Sequence, residues 1–194
     1  MDTFSYVMTL VAIIVGLGIT HILSGLGHAI QRLSGHGAPI RLESVYLYWV
    51  SNIFIWLISF WWFEYKFYDL QTEWTFGLYT FIVLYAVFLY MVAVVLVPVT
   101  MSEMHDSYEY FMNKRKWIFS FFILLFIIDT IDTFLKGWDW GIRPIYIMQT
   151  TALFITYLVG LIANGRRVQL TNAIVAFIIQ FGFMFLELTR LGNF

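Results

Sequence analysis

Trp117–Trp138, WIFSFFILLFIIDTIDTFLKGW, is long and apolar enough to cross a bilayer, yet it contains Asp129, Asp132 and Lys136. An ionisable group inside hydrocarbon costs a few kcal/mol or more, so such groups turn toward protein or water. At about 100° per residue of helix the three positions fall within a wedge of roughly 60°. The stretch therefore reads as a membrane-spanning helix with one charged face. The rest of the chain reads as lipid-facing cover or as partners for that face.

Composition agrees. Of 194 residues, 61% are hydrophobic, 21% aromatic and 12% charged, with a mean hydropathy of +0.80. A soluble domain carries about 25% charged residues, so the chain is expected to be an all-α polytopic membrane protein. A net charge of -1 argues against a nucleic-acid partner. The absence of cysteine removes thiol catalysis, thiolate metal sites and iron–sulfur clusters. The N-terminal segment lacks a basic region and a small-residue cleavage site, so it is expected to be a retained span.

Six apolar runs lie near the ~20 residues a bilayer requires: about 4–29, 45–64, 75–97, 117–136, 145–163 and 170–189. With short connections, the expectation is one transmembrane domain over 1–194. The connections after spans one, three and five hold seven cations: Arg32, Arg41, Lys114, Arg115, Lys116, Arg166 and Arg167. The other side holds four, Lys66, Lys136, Arg143 and Arg190. The positive-inside rule then places both termini outside, in what is expected to be a bacterial inner membrane. Trp61, Trp62, Trp74, Trp138 and Trp140 gather on the predicted outer side, as an interfacial belt does.

In span one, Ala12, Gly16, Thr20, Ser24 and Gly27 form a small-residue stripe that predicts close helix packing, within the chain or between subunits. A neighbouring stripe holds Gly18, His21, Gly25 and His28. Span three has few polar groups and is expected to face lipid. After Pro98, Ser102 is expected to cap a separate cytoplasmic amphipathic helix over about 102–115, with Met104, Tyr108, Phe111 and Met112 on one face.

Polar stripes on the other spans converge on a common interior. Counted at ~1.5 Å per residue, Glu64, Asp129, Asp132, Lys136, Glu187 and Arg190 form an expected outer charged cluster. His21, Asn52, Gln149, Asn164, Asn172 and Gln180 form an expected inner polar layer. Carboxylates taken out of water and set close together can take up and release protons, which points to proton- or cation-linked transport. The plainer reading is that Lys136 and Arg190 neutralise the carboxylates in a structural ion-pair network.

Metal and haem ligation fit poorly. His21 and His28 are seven residues apart on one helix, about 10 Å, so one metal with ~2 Å bonds does not take both. His105 with Glu109 is a weak surface pairing. Asp129-x-x-Asp132 superficially resembles the Mg²⁺-holding pairs of membrane-embedded transferases, but no second aspartate motif accompanies it. Ser24-Gly25 lacks the rest of an intramembrane serine protease motif, and no P-loop or H-E-x-x-H is present. No enzyme activity and no cofactor are expected. The partners expected are the lipid bilayer and either further copies of the chain or other membrane subunits. Two functional expectations follow: a small channel or transporter using the charged cluster, or a non-conducting subunit that docks a partner through 99–116.

Overall fold

The computed structural model describes residues 3–69 and 73–191, except for the side chains of 69, 103 and 187–191. Helix α1 is Thr3–Leu33, α2 Ser44–Glu64, the short α3 Lys66–Asp69 and α4 Phe76–Leu96. A 3₁₀ turn at Met101–Glu103 follows, then α5 Ser107–Leu135, the short α6 Trp138–Gly141, α7 Pro144–Ile162 and α8 Arg166–Leu191. No strand occurs among the described residues. Six helices are long and apolar enough to cross a membrane, and Leu17, Ile58, Leu84, Ile131, Ile155 and Ile178 lie exposed on them. Bare apolar surface on every long helix suits contact with lipid, and the chain is a helical membrane protein in architecture.

Helix α2 is the hub. It packs against α1, α4, α5 and α8, while α1–α4, α4–α5, α5–α7 and α7–α8 contacts run in an arc whose two ends, α1 and α8, both meet α2. In its apolar window 56% of residues are buried, against at most 33% in any other span. Trp49 of α2 carries the packing: its ring meets Phe119 at 5.0 Å edge-on and Phe122 at 5.2 Å. Tyr157 completes the cluster from α7, 5.4 Å from Phe122. Such offset and edge-to-face contacts suit the ring quadrupole.

Three expectations are corrected here. Span three does not stand out as lipid-facing: α4 is buried to the same extent as α1 and α5, with Ile82, Tyr85, Ala86, Leu89, Val92 and Ala93 turned inward among its contacts with α1, α2 and α5. The separate amphipathic helix over 102–115 does not exist. Span four and residues 107–116 form one continuous 29-residue helix, and Asp106, not Ser102, is its cap. The Asp106 carboxylate accepts from Tyr108 N at 2.8 Å and Glu109 N at 3.0 Å, and an acidic cap also suits the positive end of the helix dipole. Asp106 is held there because Arg41 N donates to His105 O at 2.8 Å and Ser107 N to Arg41 O at 3.0 Å.

The third correction concerns α1 and only packing within the chain. Ala12, Thr20 and Ser24 are exposed, and nothing within the chain comes within 4 Å of a Cβ built at Gly16 or Gly27. The stripe that packs inside the chain is the neighbouring one, where Gly18 abuts Leu57 and Gly25 abuts Val97. Val11, Val15, Ile22 and Ala29 share that buried face.

Opposite the tryptophan-rich end, the connections are tied by Arg32. Its guanidinium donates to the carbonyls of Ala38 (2.6 Å), Pro39 (3.0 Å) and Met104 (2.9 Å), and also to that of Met101. Arg115 donates to Ala163 O at 2.6 Å and Asn164 Oδ1 at 2.7 Å, and Arg166 pairs with Glu43. Much of the basic charge at this end is thus bound into the fold.

Candidate functional site

Asp132 and Lys136 stand one turn apart at the end of α5, so their side chains lie on the same face. Lys136 is the C-cap, and Gly137, at φ +134°, turns the chain into α6 with a backbone conformation that glycine adopts readily. Glu64 is the last residue of α2. Lys136 Nζ donates to Glu64 Oε1 at 2.9 Å and to Asp132 Oδ2, and it lies 5.2 Å from the centre of the Phe67 ring. The three side chains are 4%, 2% and 3% exposed, so the ammonium and both carboxylates are withdrawn from solvent. Its geometry is that of a desolvated ion-pair triad, in which removing one partner strands the others.

One turn earlier on α5, Asp129 accepts a 2.7 Å hydrogen bond from the hydroxyl of Tyr85 on α4. Tyr85 is fixed by Phe60, whose ring stands edge-on at 4.8 Å. Glu64, Asp129, Asp132 and Lys136 line a cavity of about 60 Å³ walled by α2, α4, α5, α7 and α8. That is room for a few waters or a small ion. Trp140 of α6 also lines it, with Lys66 Nζ 5.6 Å and the Arg143 guanidinium carbon 4.2 Å from its ring. Glu64 Oε2 and Asp132 Oδ1 are buried without a hydrogen-bond partner, although both side chains line the cavity.

Of the expected charged cluster, Glu64, Asp129, Asp132 and Lys136 do come together. The side chains of Glu187 and Arg190 lie outside the described residues. The inner polar layer is not one layer. Gln149 and Gln180 line the charged cavity, while the others are satisfied separately. His21 Nε2 lies 2.8 Å from Val97 O, and Asn52 Nδ2 donates to Tyr48 O in its own helix at 3.0 Å. Asn172 Nδ2 donates to Thr156 O at 2.9 Å, and Asn164 receives Arg115 in the α7–α8 connection.

Tyr85, Tyr146, Tyr157, Thr133 and Trp140 are cavity residues that the sequence reading missed. Their signal was present in part. A tyrosine hydroxyl in mid-span is a polar group that needs a partner, and Tyr85 was the mark that α4 does not face lipid alone. Among the described residues no three His, Cys, Asp or Glu side chains cluster closely enough to hold a metal ion.

A bundle of six membrane-length helices around an acid-lined internal cavity is the class that fold and site define. No protein-family model matches the chain, and neither a curated protein nor a solved structure matches it.

Proposed function

We propose that the chain is a small channel or transporter, proton- or cation-linked, with the Glu64–Asp129–Asp132–Lys136 cavity as its ion site. The observation that carries the reading is the cavity itself, with three carboxylates and one ammonium on its lining. Among the described lining residues, when all are ionised, negative charge exceeds positive by two in a place removed from bulk water, with Lys66 and Arg143 nearby on the Trp140 ring. Buried charge of that kind is expensive unless a proton or cation accompanies it. Asp129 and Asp132 are the exchanging groups, and Lys136 sets the charge balance. In this reading the cavity end faces outward in a bacterial inner membrane, as do both termini. The outward stripe Ala12, Gly16, Thr20, Ser24 and Gly27 packs against another copy or another membrane subunit.

The alternative, a non-conducting subunit docking a partner through 99–116, has less to stand on. Met104 and Phe111 of its apolar face are buried in the fold, which leaves a mostly polar exposed surface that includes His105, Glu109, Lys114 and Lys116.

Proton and cation flux in proteoliposomes tests the proposal, with wild type beside Asp129→Asn. Asp129 is the right residue to change because it is not bonded to Lys136, so the ion-pair triad stays intact. Flux in wild type that falls at least tenfold in the folded variant is expected. Folded wild-type protein that conducts neither protons nor cations removes the reading.

A further inference from the structure

We infer that the basic end of the bundle is a binding collar for anionic phospholipids, whatever ion the opposite end carries. Lys114, Lys116 and Arg167 meet the lipid phosphates, and Trp117, Ile162 and Val168 meet the acyl chains.

The cations at this end divide into two kinds. Arg32 is buried among backbone carbonyls, and Arg115 donates to Ala163 O and Asn164 Oδ1. Arg41 pairs with Glu43 at 2.8 Å and with Asp106 at 3.9 Å, and Arg166 pairs with Glu43 from the other side. These four arginines hold connections and helix ends together. Lys114, Lys116 and Arg167 are exposed, and among the described residues none of them has an ion pair or a side-chain hydrogen bond. Glu43 and Asp106 are already taken up by arginines. Glu109, the remaining exposed carboxylate of this end among the described side chains, stands about 7.5 Å before Lys114 along α5. The uncommitted charge is therefore positive, and its natural complement is an anion.

The free cations share one height. Arg115 reaches Ala163 O at 2.6 Å and Asn164 Oδ1 at 2.7 Å, so the basic run of α5 stands level with the α7–α8 connection. Arg167 follows directly, in the first turn of α8. At about 100° per residue, Lys114 and Lys116 lie to either side of the inward-turned Arg115. They flank α5, and Arg167 carries the charge past α7 onto α8.

A lipid suits this surface better than a soluble anion does. Charged or polar groups give way to bare apolar side chains within a residue or so on α5, α7 and α8, at Lys116–Trp117, Ile162–Asn164 and Arg167–Val168. Trp117, Ile162 and Val168 are 66%, 72% and 50% exposed. Inorganic phosphate gains nothing from that apolar surface, whereas a phospholipid presents a phosphate and then its chains in the same order. Tryptophan beside lysine is also the side-chain pair that suits a headgroup boundary. A zwitterionic headgroup brings a cation of its own and leaves the three charges uncompensated. An anionic one compensates them, with a gain of about fivefold for each Lys or Arg near the lipid surface.

Full-length protein in neutral detergent, offered equal amounts of phosphatidylglycerol and phosphatidylcholine with matched chains and read by native mass spectrometry, tests this. Wild type should retain the anionic lipid with a preference of about fivefold or more. Lys114→Gln/Lys116→Gln/Arg167→Gln should bring the two lipids to parity, while Lys114→Arg/Lys116→Arg/Arg167→Lys keeps the preference. Lys66→Gln, at the opposite end, should leave it unchanged. Helix content and melting are compared first. If the triple glutamine variant misfolds, the single glutamine variants carry the test, each with a partial loss. Equal retention of both lipids by wild type overturns the inference and returns these cations to the partner-docking reading. An undiminished preference in the folded glutamine variants overturns it as well, as does an equal loss in Lys66→Gln, which would reflect net charge alone. Displacement of phosphatidylglycerol by inorganic phosphate, unmatched by chloride at equal ionic strength, would assign the cations to a soluble anion instead.

Discussion

The hydroxyl of Tyr85 donates to Asp129 Oδ1 across 2.7 Å, joining the span with the least polar sequence to the one with the most conspicuous charge. The bond makes α4 a wall of the cavity as well as a lipid-contacting helix. Its partner atom sits where water is scarce, so the hydrogen bond has few substitutes.

Tyr85→Phe removes that donor and leaves the ring packing with Phe60 in place. Hydrogen bonds to charged groups are worth roughly 1.5–3 kcal/mol, so a loss of that order is expected in thermal or denaturant unfolding in detergent. In Tyr85→Phe/Asp129→Asn the two effects should not add, because both act on one bond. Fully additive losses would mean that the two side chains are not coupled.

Lys136→Met withdraws the cation from between Glu64 and Asp132. Breaking a buried pair by removing one partner costs about 3–5 kcal/mol, since the stranded charge has no water to turn to. The triple change Glu64→Gln/Asp132→Asn/Lys136→Met should recover most of that loss, because no member of the triad is left as a stranded charge and Asp129 keeps its hydrogen bond from Tyr85. Unfolding midpoints of the three proteins decide it. A single variant as stable as wild type would show that the triad carries no net stabilisation.

The span count was legible because a bilayer demands about 20 apolar residues whatever surrounds them. The shared face of Asp129, Asp132 and Lys136 was legible because helical periodicity is local. What joins that face from elsewhere was not. Glu64 lies 72 residues from Lys136 and Tyr85 lies 44 from Asp129, and their meeting depends on helix order around α2. The α1 stripes show the same limit, since two runs of small residues lie side by side and composition does not say which one faces inward. Ser102 and Asp106 are both good caps four residues apart. The backbone contacts of Arg41 with His105 and Ser107 decide between them, and those cross from another connection.

Gly160 and Gly16 separate the two kinds of small residue. A Cβ at Gly160 would run into the ring of Phe119, which is itself wedged against Trp49 and Phe122. Gly160→Ala should therefore destabilise by about 1–3 kcal/mol, the usual range for overpacking. Gly16→Ala meets open space and gains helix propensity, so in the monomer it should be neutral or stabilising by up to about 1 kcal/mol. Parallel melts of the two variants test the contrast. Size-exclusion of Gly16→Ala additionally reads whether that face holds a second copy, as a shift to smaller assemblies.

Arg32 is the most constrained cation at the basic end. Its planar fork reaches carbonyls of Ala38 and Pro39 in the α1–α2 connection, and of Met101 and Met104 in the turn before α5. At 8% exposure it has little access to water, and lysine, with one compact ammonium, does not span carbonyls on two segments. Arg32→Lys should cost about 2 kcal/mol or more, given charge-assisted bonds worth roughly 1.5–3 kcal/mol each with partial replacement by the lysine. Because those bonds hold the connections and not the spans, the change should appear as faster proteolysis within 34–43 and 98–106, with helix content unaltered. Limited proteolysis with mass mapping measures this. Cleavage at the same rate in both proteins would show that backbone contacts alone, such as Arg41 N to His105 O at 2.8 Å, hold these connections together.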